Sequence, residues 1–223
     1  DIIILDDAFQ HRSVKPGLNI LIMDVQRPFY KDFVLPYGRL RENRTAYKRA
    51  DVIVVSKCSS NFSQAQAQEV IAQIQPLEHQ QVYFTGLHYQ TPYHISTRAA
   101  LTLEHKNVLL VCCIANPTTL IQHITNASND IHTLTYADHH AFTTYDLEEI
   151  ISSFNNWKVQ DKVLLTTEKD AMRLVPYLDI FEDAGIAIYV QAIQIQFLLN
   201  GKEAFDQQVH TFVAQQLTHY HTY

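Results

Sequence analysis

Apolar runs in this chain alternate with amphipathic stretches, and this alternation predicts a parallel α/β architecture. In the first ninety residues, apolar runs predict strands at 2–5, 19–23, 52–55 and 82–84. Between the last two, Val70, Ile71 and Ile74 fall on one face of a predicted helix over 62–74, which Pro76 ends. These elements predict half of a doubly wound sheet.

A stretch without a clear period separates these elements from a second alternating set. It contains Pro92 and several Ser and Thr residues, so we predict a linker over 91–103. The second set predicts a small α/β lobe over 104–195, with a helix at 146–154 and strands at 108–113, 131–134, 163–166 and 186–190.

The last amphipathic stretch predicts a helix over 202–217 with Phe205, Val209, Phe212 and Val213 on one side. Because that side has to be buried, we expect the chain to return to the first lobe. Residues 1–90 and 196–223 would then share a core.

The composition is that of a globular chain, with 223 residues of which 47% are hydrophobic. The net charge of −6 argues against a broad nucleic-acid-binding surface. Three cysteines, an odd number, argue against a disulfide scaffold. Because no apolar run has the length of a bilayer span and no signal-peptide pattern occurs, we expect a soluble, cytoplasmic chain.

The chain begins with Asp1, directly before a predicted strand, rather than with Met. We therefore expect a fragment whose upstream part is absent. An incomplete first lobe would expose a sheet edge, or would dimerise to cover that edge.

The first candidate site is a pair of adjacent carboxylates, Asp6 and Asp7, directly after the predicted strand at 2–5. Ligand sites in parallel sheets lie beyond the carboxyl ends of the strands. Two adjacent carboxylates repel each other, and Mg²⁺ is a cation that compensates for this repulsion. Their neighbours Gln10 and Arg12, with His11, could hold an anion beside the metal. The alternative is a strand end that turns into solvent.

The second candidate site is the turn over 35–42, which carries Arg39, Arg41 and Glu42. Guanidinium groups suit bidentate contacts with phosphate. Alternatively, Arg41 and Glu42 form the charged first turn of a surface helix that runs to Ala50.

Two more candidates follow predicted strands of the second lobe. In Asp138-His139-His140, a carboxylate beside an imidazole can fix its tautomer and raise its pKa. Alternatively, Asp138 caps the next helix and His139 packs. In the stretch 166–170, Lys169 at a helix N-terminus could bind phosphate, whereas Asp170 more simply caps that helix.

Taken in order, these clusters resemble the tetraacyldisaccharide 4'-kinase family, whose members phosphorylate a membrane-borne acylated glucosamine disaccharide in lipid A biosynthesis. Ala8 and Cys113 stand where the family usually has Gly, and Ala8 implies either a negative φ or a slightly different turn. The residues that carry the resemblance are Asp6-Asp7-Ala8-Phe9-Gln10-His11-Arg12, Leu35-Pro36-Tyr37-Gly38-Arg39-Leu40-Arg41-Glu42, Arg49-Ala50-Asp51, Ile114-Ala115-Asn116-Pro117, Asp138-His139-His140 and Thr167-Glu168-Lys169-Asp170.

The resemblance implies a P-loop kinase fold with a two-stranded linker between its lobes, and it implies ATP and Mg²⁺ as cofactors. Asp6 and Asp7 then look like the Walker B acids that hold Mg²⁺. Arg41 and Glu42 would lie around the γ-phosphate and the metal. Gln10, Arg12 and Lys169 would contact the nucleotide. In the second lobe, His139 would join the site when the lobes close, with its ring oriented by Asp138.

The resemblance also implies the substrate, an acylated glucosamine disaccharide 1-phosphate whose 4'-hydroxyl accepts the phosphate. It implies peripheral contact with the cytoplasmic face of the inner membrane. The family's phosphate cradle is a Gly-rich loop ending in Lys-Thr, and no G-x-x-x-x-G-K-[ST] occurs in these 223 residues. We expect the cradle and the general base upstream of Asp1, and we expect the chain alone to be inactive.

Two interpretations from other classes stay open. Asp138-His139-His140 is also similar to the signature of the Asp-His-His phosphoesterases, which gather several Asp and His residues around two Mn²⁺ ions. Such enzymes need Asp pairs of the D-x-D kind, and the chain contains none. The other interpretation is a nucleotide- or lipid-binding module without catalysis.

Overall fold

The computed structural model describes residues 2–138 and 140–220, with side chains as far as residue 216. The chain forms two compact units: unit 1 is Asp1–His88 with Ile195–Tyr223, and unit 2 is Tyr89–Gln194. The strands of the described residues are β1 Ile20–Asp24, β2 Val52–Cys58, β3 Gln81–Tyr89, β4 Tyr93–His94, β5 Asn107–Cys112, β6 Asp130–Thr135, β7 Lys162–Thr167, β8 Ile188–Gln191 and β9 Ile193–Phe197. The helices are α1 Gln64–Ile74, α2 Thr118–Ala127, α3 Thr144–Asn156, α4 Glu168–Leu174, α5 Leu178–Asp183 and α6 Gly201–Tyr220.

Unit 1 contains a four-stranded sheet in the order β1-β2-β3-β9, in which β1, β2 and β3 are parallel. The central strand β2 carries Val52 and Ile53, both fully buried, as its continuous apolar run predicts. The helix α1 covers one face of the sheet through Ala67 and Ile74. A capping box of Ser63 and Gln66 begins this helix, because each residue bonds the other's backbone N–H.

The terminal helix α6 packs on the same sheet. The ring of Phe205 lies 5.3 Å from that of Tyr83 and 4.8 Å from that of Phe197, measured between centroids. Farther along α6, Phe212 lies so close to Gly17 that a Cβ at Gly17 would be 2.7 Å from its ring. The helix therefore shares a core with the strands of unit 1.

Unit 2 contains a five-stranded sheet in the order β4-β8-β7-β5-β6, parallel except for the antiparallel strand β4. All six residues of β5, the second strand from one edge, are buried. One core cluster joins Leu147 and Ile150 of α3 to Phe181 of α5. Both Cys112 and Cys113 are buried free thiols, and burial raises their pKa values to about 11 and about 12.

The chain leaves unit 1 at the end of β3 and returns within β9, and these strands are neighbours in one sheet. Among the helices described, none combines the length and apolar character needed to cross a membrane.

The predicted strand at 2–5 is wrong. Residues 2–5 have no regular secondary structure, and Ile3 and Ile4 are 86% and 88% exposed. A strand that is apolar on both faces forms only where strands pair with it and other elements cover it. No other part of the described chain pairs with these residues, so the apolar pattern alone does not make them a strand.

Candidate functional site

Asp6 and Asp7 lie in an exposed turn of unit 1, directly after the irregular segment 2–5. Asp7 has a φ of +47°, a left-handed conformation that Asp tolerates better than most residues. The Nη1 atom of Arg41 lies 3.1 Å from Oδ2 of Asp7, with both side chains more than half exposed. Exposed ion pairs contribute about 0–1 kcal/mol, so a ligand could separate this pair at little cost.

Glu42 is held much more firmly than Arg41. Arg49 donates two parallel hydrogen bonds to its carboxylate, at 2.8 Å and 3.0 Å. The same guanidinium donates to the carbonyl of Phe9 at 3.1 Å and lies 4.7 Å from the centre of the Phe9 ring. The hydrogen bond from Arg49 lowers the pKa of Glu42, and the charges of Arg49 and Arg12 act in the same direction.

The structure therefore brings the first two predicted clusters together within unit 1. Asp7 contacts Arg41, and Arg49 joins the Phe9 turn to Glu42. Gln10 and Arg12 are exposed on that turn. The predicted surface helix over 41–50 is present only in part, as a 3₁₀ helix at Arg44–Arg49, and Asn43 caps it.

Sequence reasoning missed a further ion pair in unit 1. Asp24, the last residue of β1, accepts a 2.7 Å hydrogen bond from Nζ of Lys57, which lies at an irregularity near the end of β2. Burial alone would raise the pKa of Asp24, but the bonds from Lys57 and from the backbone of Gln26 lower it overall. The signal was available, because Asp24 ends an apolar strand just as the Asp6 pair was predicted to do.

In unit 2, Asp138 and Lys169 lie together. Nζ of Lys169 donates to Oδ1 of Asp138 at 2.9 Å, and both side chains are partly exposed. His139 lies outside the described residues. Lys169 is in the first turn of α4, where its neighbour Glu168 accepts a 3.3 Å bond from the hydroxyl of Tyr93.

The contacts of His140 lie within unit 2 and stabilise the start of α3. Its Nε2 lies 2.9 Å from Oδ2 of Asp146, and its ring stacks on Tyr136 with 5.0 Å between centroids. Asp146 forms a capping box with Thr143, so Thr143 begins α3 and Asp138 does not. Burial alone would raise the pKa of Asp146, but the bonds from Thr143 and His140 lower it overall.

Asp170 is not the cap of its helix, which corrects the simpler prediction for this residue. The hydroxyl of Thr167 caps α4 instead, accepting from the backbone of Asp170 at 3.1 Å. The carboxylate of Asp170 is fully buried, and it accepts bonds from the backbone N–H of Cys113 and from Thr167 at 2.9 Å and 2.8 Å. Arg173 lies 3.2 Å from its other oxygen. Asp170 thus ties the end of β5 to α4.

No three His, Cys, Asp or Glu side chains in the described ranges cluster closely enough to hold a metal ion by themselves. Mg²⁺ is commonly bound by one or two carboxylates together with water and the phosphates of a nucleotide. Asp6 and Asp7 fit that smaller donor set because they are adjacent and exposed. Two cavities of about 240 Å³ and 360 Å³ lie in unit 2 near α5 and β8, and none of the predicted site residues that the structure describes lines them.

Comparisons with known proteins agree with the motifs. The model of the family described as tetraacyldisaccharide-1-P 4'-kinase, LpxK, matches residues 1–214. A tetraacyldisaccharide 4'-kinase of Phocaeicola vulgatus is 36% identical over 218 residues, covering 96% of this chain and 60% of its own length. One of Flavobacterium johnsoniae is 32% identical, covering 97% of this chain and 60% of its own. The chain thus spans about 60% of the length of these relatives.

A solved structure supports the fold. The "apo" form of LpxK from Aquifex aeolicus, in complex with ATP, superposes with a TM-score of 0.59 at 17% identity, covering 93% of this chain and 56% of that one. This likeness confirms the predicted fold class, an α/β P-loop kinase fold with parallel sheets. Because the family model covers nearly the whole chain, the chain belongs to the tetraacyldisaccharide-1-P 4'-kinase family, LpxK.

Proposed function

We propose that this chain is part of an enzyme that transfers the γ-phosphate of ATP to the 4'-hydroxyl of tetraacyldisaccharide 1-phosphate in lipid A biosynthesis. The observation that carries the proposal is the family match over residues 1–214. The activity of the named relatives supports the substrate, and the ATP in the Aquifex structure supports the nucleotide. Since the chain spans about 60% of its relatives, the activity belongs to the longer protein.

In this proposal Asp6 and Asp7 would hold the Mg²⁺ ion that accompanies ATP. The ion would neutralise charge that develops on the transferred group. The weak contact with Arg41 suits this role, because Asp7 can exchange a surface ion pair for the metal. Arg41, released from Asp7, can then face the γ-phosphate.

The contacts of Glu42 favour a positioning role over direct contact with the metal. Both of its oxygens already accept bonds from Arg49. Arg49 also bonds the carbonyl of Phe9, so its pair with Glu42 fixes the acidic turn relative to Arg41, the neighbour of Glu42. Gln10 and Arg12, exposed on that turn, would contact the nucleotide.

Unit 2 would contribute Asp138, His139 and Lys169. We propose that His139 assists removal of the proton from the acceptor hydroxyl and that Asp138 orients its ring. Lys169 balances the charge of Asp138 and could also attract a phosphate. His140 is not part of this group, because it bonds Asp146 at the start of α3.

The proposal also states where in the cell the reaction takes place. In the same proposal the enzyme acts on a membrane-borne acceptor as a peripheral protein at the cytoplasmic face of the inner membrane. The 223 residues alone would be inactive. The open edge of their first sheet would be exposed to solvent, or it would be covered by dimerisation. Family membership favours the kinase over the Asp-His-His phosphoesterase and over a module without catalysis.

Replacement of Asp7 tests the proposed function. In the full-length protein, Asp7→Asn should lower kcat/KM by about 100-fold or more, and higher Mg²⁺ should partly restore it. The melting temperature should hardly change, because the lost ion pair is exposed. Asp179→Asn, an exposed carboxylate in unit 2, is the matched control and should behave as the parent. Normal turnover of Asp7→Asn at low Mg²⁺ would remove Asp7 from the metal site.

A further inference from the structure

Basic residues are concentrated in one segment of unit 1. Residues 27–49 contain seven Arg or Lys and only two Asp or Glu, although the whole chain has a net charge of −6. Lys31, Arg39 and Arg41 are exposed. The segment is therefore a cationic region on an otherwise acidic protein.

Apolar side chains project from the middle of this cationic segment. In the loop over residues 32–40, here called the tip loop, Phe33, Leu35 and Tyr37 are 60%, 64% and 91% exposed. Alternate positions of one short loop thus present two aromatic rings and an aliphatic side chain to solvent. Scattered single apolar residues are normal on a surface, but a contiguous group indicates an interaction site.

The tip loop has a fixed shape. One oxygen of Asp32 accepts the backbone N–H groups of Phe33 and Arg39, and Leu40 donates to the carbonyl of Phe33 at 2.9 Å. The backbone approaches so closely at Gly38 that a Cβ there would lie 2.2 Å from the carbonyl oxygen of Phe33. The apolar side chains are therefore presented by an ordered turn.

Both acids of the segment are engaged in bonds within unit 1. Asp32 accepts the two backbone bonds of the tip loop, and Glu42 accepts the guanidinium of Arg49. Arg44 lies across the base of the loop, 4.4 Å from the centre of the Phe33 ring, and donates to the carbonyl of Asp32. The surface around the tip thus combines exposed apolar groups with cations.

We propose that the tip loop is a docking surface for an anionic lipid bilayer. Phe33, Leu35 and Tyr37 would enter the boundary between headgroups and acyl chains, and Lys31 and Arg39 would face the anionic headgroups. Apolar side chains flanked by Lys and Arg are the combination that binds such interfaces. The charge of the segment selects this occupant over an uncharged apolar partner.

The inference rests on the proposed function, and it adds which surface of the protein meets the membrane. Arg41 follows the tip loop directly, so docking would bring the proposed phosphate-binding guanidinium to the membrane surface. The acceptor lipid would then need to rise little from the bilayer to reach the site.

Vesicle binding tests the docking surface in the full-length protein. The variant Phe33→Ser/Leu35→Ser/Tyr37→Ser should bind vesicles of phosphatidylcholine with about one third phosphatidylglycerol about tenfold more weakly than the parent. The control Met172→Ser/Val175→Ser/Ile180→Ser removes exposed apolar residues of unit 2 and should bind as the parent does. Lys31→Gln/Arg39→Gln should weaken binding to these vesicles but leave binding to pure phosphatidylcholine unchanged.

A second measurement does not depend on the triple variant folding. Tyr37→Trp should be quenched by brominated phospholipid in the same vesicles, more than the parent is. Absence of this additional quenching, or unchanged vesicle binding by the triple variant, would overturn the proposal. A triple variant that binds vesicles normally but has a raised KM for the lipid substrate would also overturn it and would assign the tip loop to the acyl chains.

Turnover with detergent-dispersed substrate separates this inference from the proposed function. The triple variant should retain parental kcat under those conditions, because its three residues are outside the proposed machinery. If the parent itself lacks kinase activity while the tip loop still governs vesicle binding, the proposed function fails and the docking surface stands.

Discussion

At the scale of single residues, Arg49 connects parts of the chain that lie 40 positions apart. It bonds the carbonyl of Phe9 and both oxygens of Glu42. Lys cannot reproduce this arrangement, because its ammonium is a single point donor and not a planar fork. In the proposed mechanism Arg49 would therefore position the acidic turn and Arg41.

Arg49→Lys should lower kcat/KM about tenfold or more in the full-length protein, with Glu42→Gln giving a similar loss. The double variant should lose little beyond either single change, because each removes the same pair. The apparent affinity for Mg²⁺ should fall in step with activity, which a merely destabilised enzyme would not show. Arg27→Lys, an exposed residue, is the control. Additive losses with unchanged dependence on Mg²⁺ would contradict the positioning role.

The sequence was enough to identify candidate side chains, but not their partners. The strand-end pattern and the turn pattern selected Asp7, Arg41 and Glu42, which lie in one region of unit 1. The sequence could not show that Glu42 faces Arg49 and that Arg41 faces Asp7, because tertiary packing decides these pairs. Asp24 and Lys57 were missed because, in the first ninety residues, the strand-end rule was applied only to the run at 2–5, which is not a strand, and not to β1.

At the scale of elements, strands buried on both faces and strongly periodic helices were predicted well. The runs at 52–55 and 108–113 became β2 and β5, and the helix at 62–74 became α1. The short helices α2 and α5 were not predicted, because neither shows a long periodic pattern, whereas the helix N-terminus predicted at 166–170 became the start of α4. The segment 2–5 failed because its apolar pattern requires neighbours that the described residues do not supply.

The N-terminus of α3 should make the stability of unit 2 depend on pH. The folded state lowers the pKa of Asp146 below its ordinary value of 3.8, so folding favours the carboxylate. The stabilisation is therefore complete above that value and is lost as the pH falls through the lower folded pKa. Asp146→Asn should lower the melting temperature near pH 7, since it weakens the capping box and the bond to His140.

The difference in melting temperature between the parent and Asp146→Asn should shrink as the pH falls below about 3.8. Asp179→Asn, which changes an exposed carboxylate of α5, should show a small difference at every pH. A constant difference for Asp146→Asn over the whole range would mean that packing, and not ionisation, is the source of its stabilisation.

At the scale of the whole molecule, the 223 residues carry only part of the chemistry proposed for the longer protein. In the proposal they would supply carboxylates for a metal, guanidinium groups for phosphate and residues that meet the acceptor. They do not contain G-x-x-x-x-G-K-[ST], the sequence whose backbone N–H groups and Lys hold the β- and γ-phosphates. In phosphoryl transfer, positioning and charge neutralisation provide nearly all of the catalysis. A chain without the cradle should therefore lose both nucleotide affinity and turnover.

The 223-residue polypeptide should accordingly show no phosphate transfer to the lipid disaccharide above background, and it should bind ATP far more weakly than the full-length protein. Isothermal titration with ATP and Mg²⁺, beside a turnover assay on both proteins, provides the measurement. Circular dichroism and the pH dependence of melting show whether the shorter polypeptide is folded, because α3 and its cap lie within it. Turnover by the folded 223-residue polypeptide would mean that the phosphates are held by residues of this chain. The P-loop mechanism would then have to be abandoned in favour of a site built from unit 1 itself.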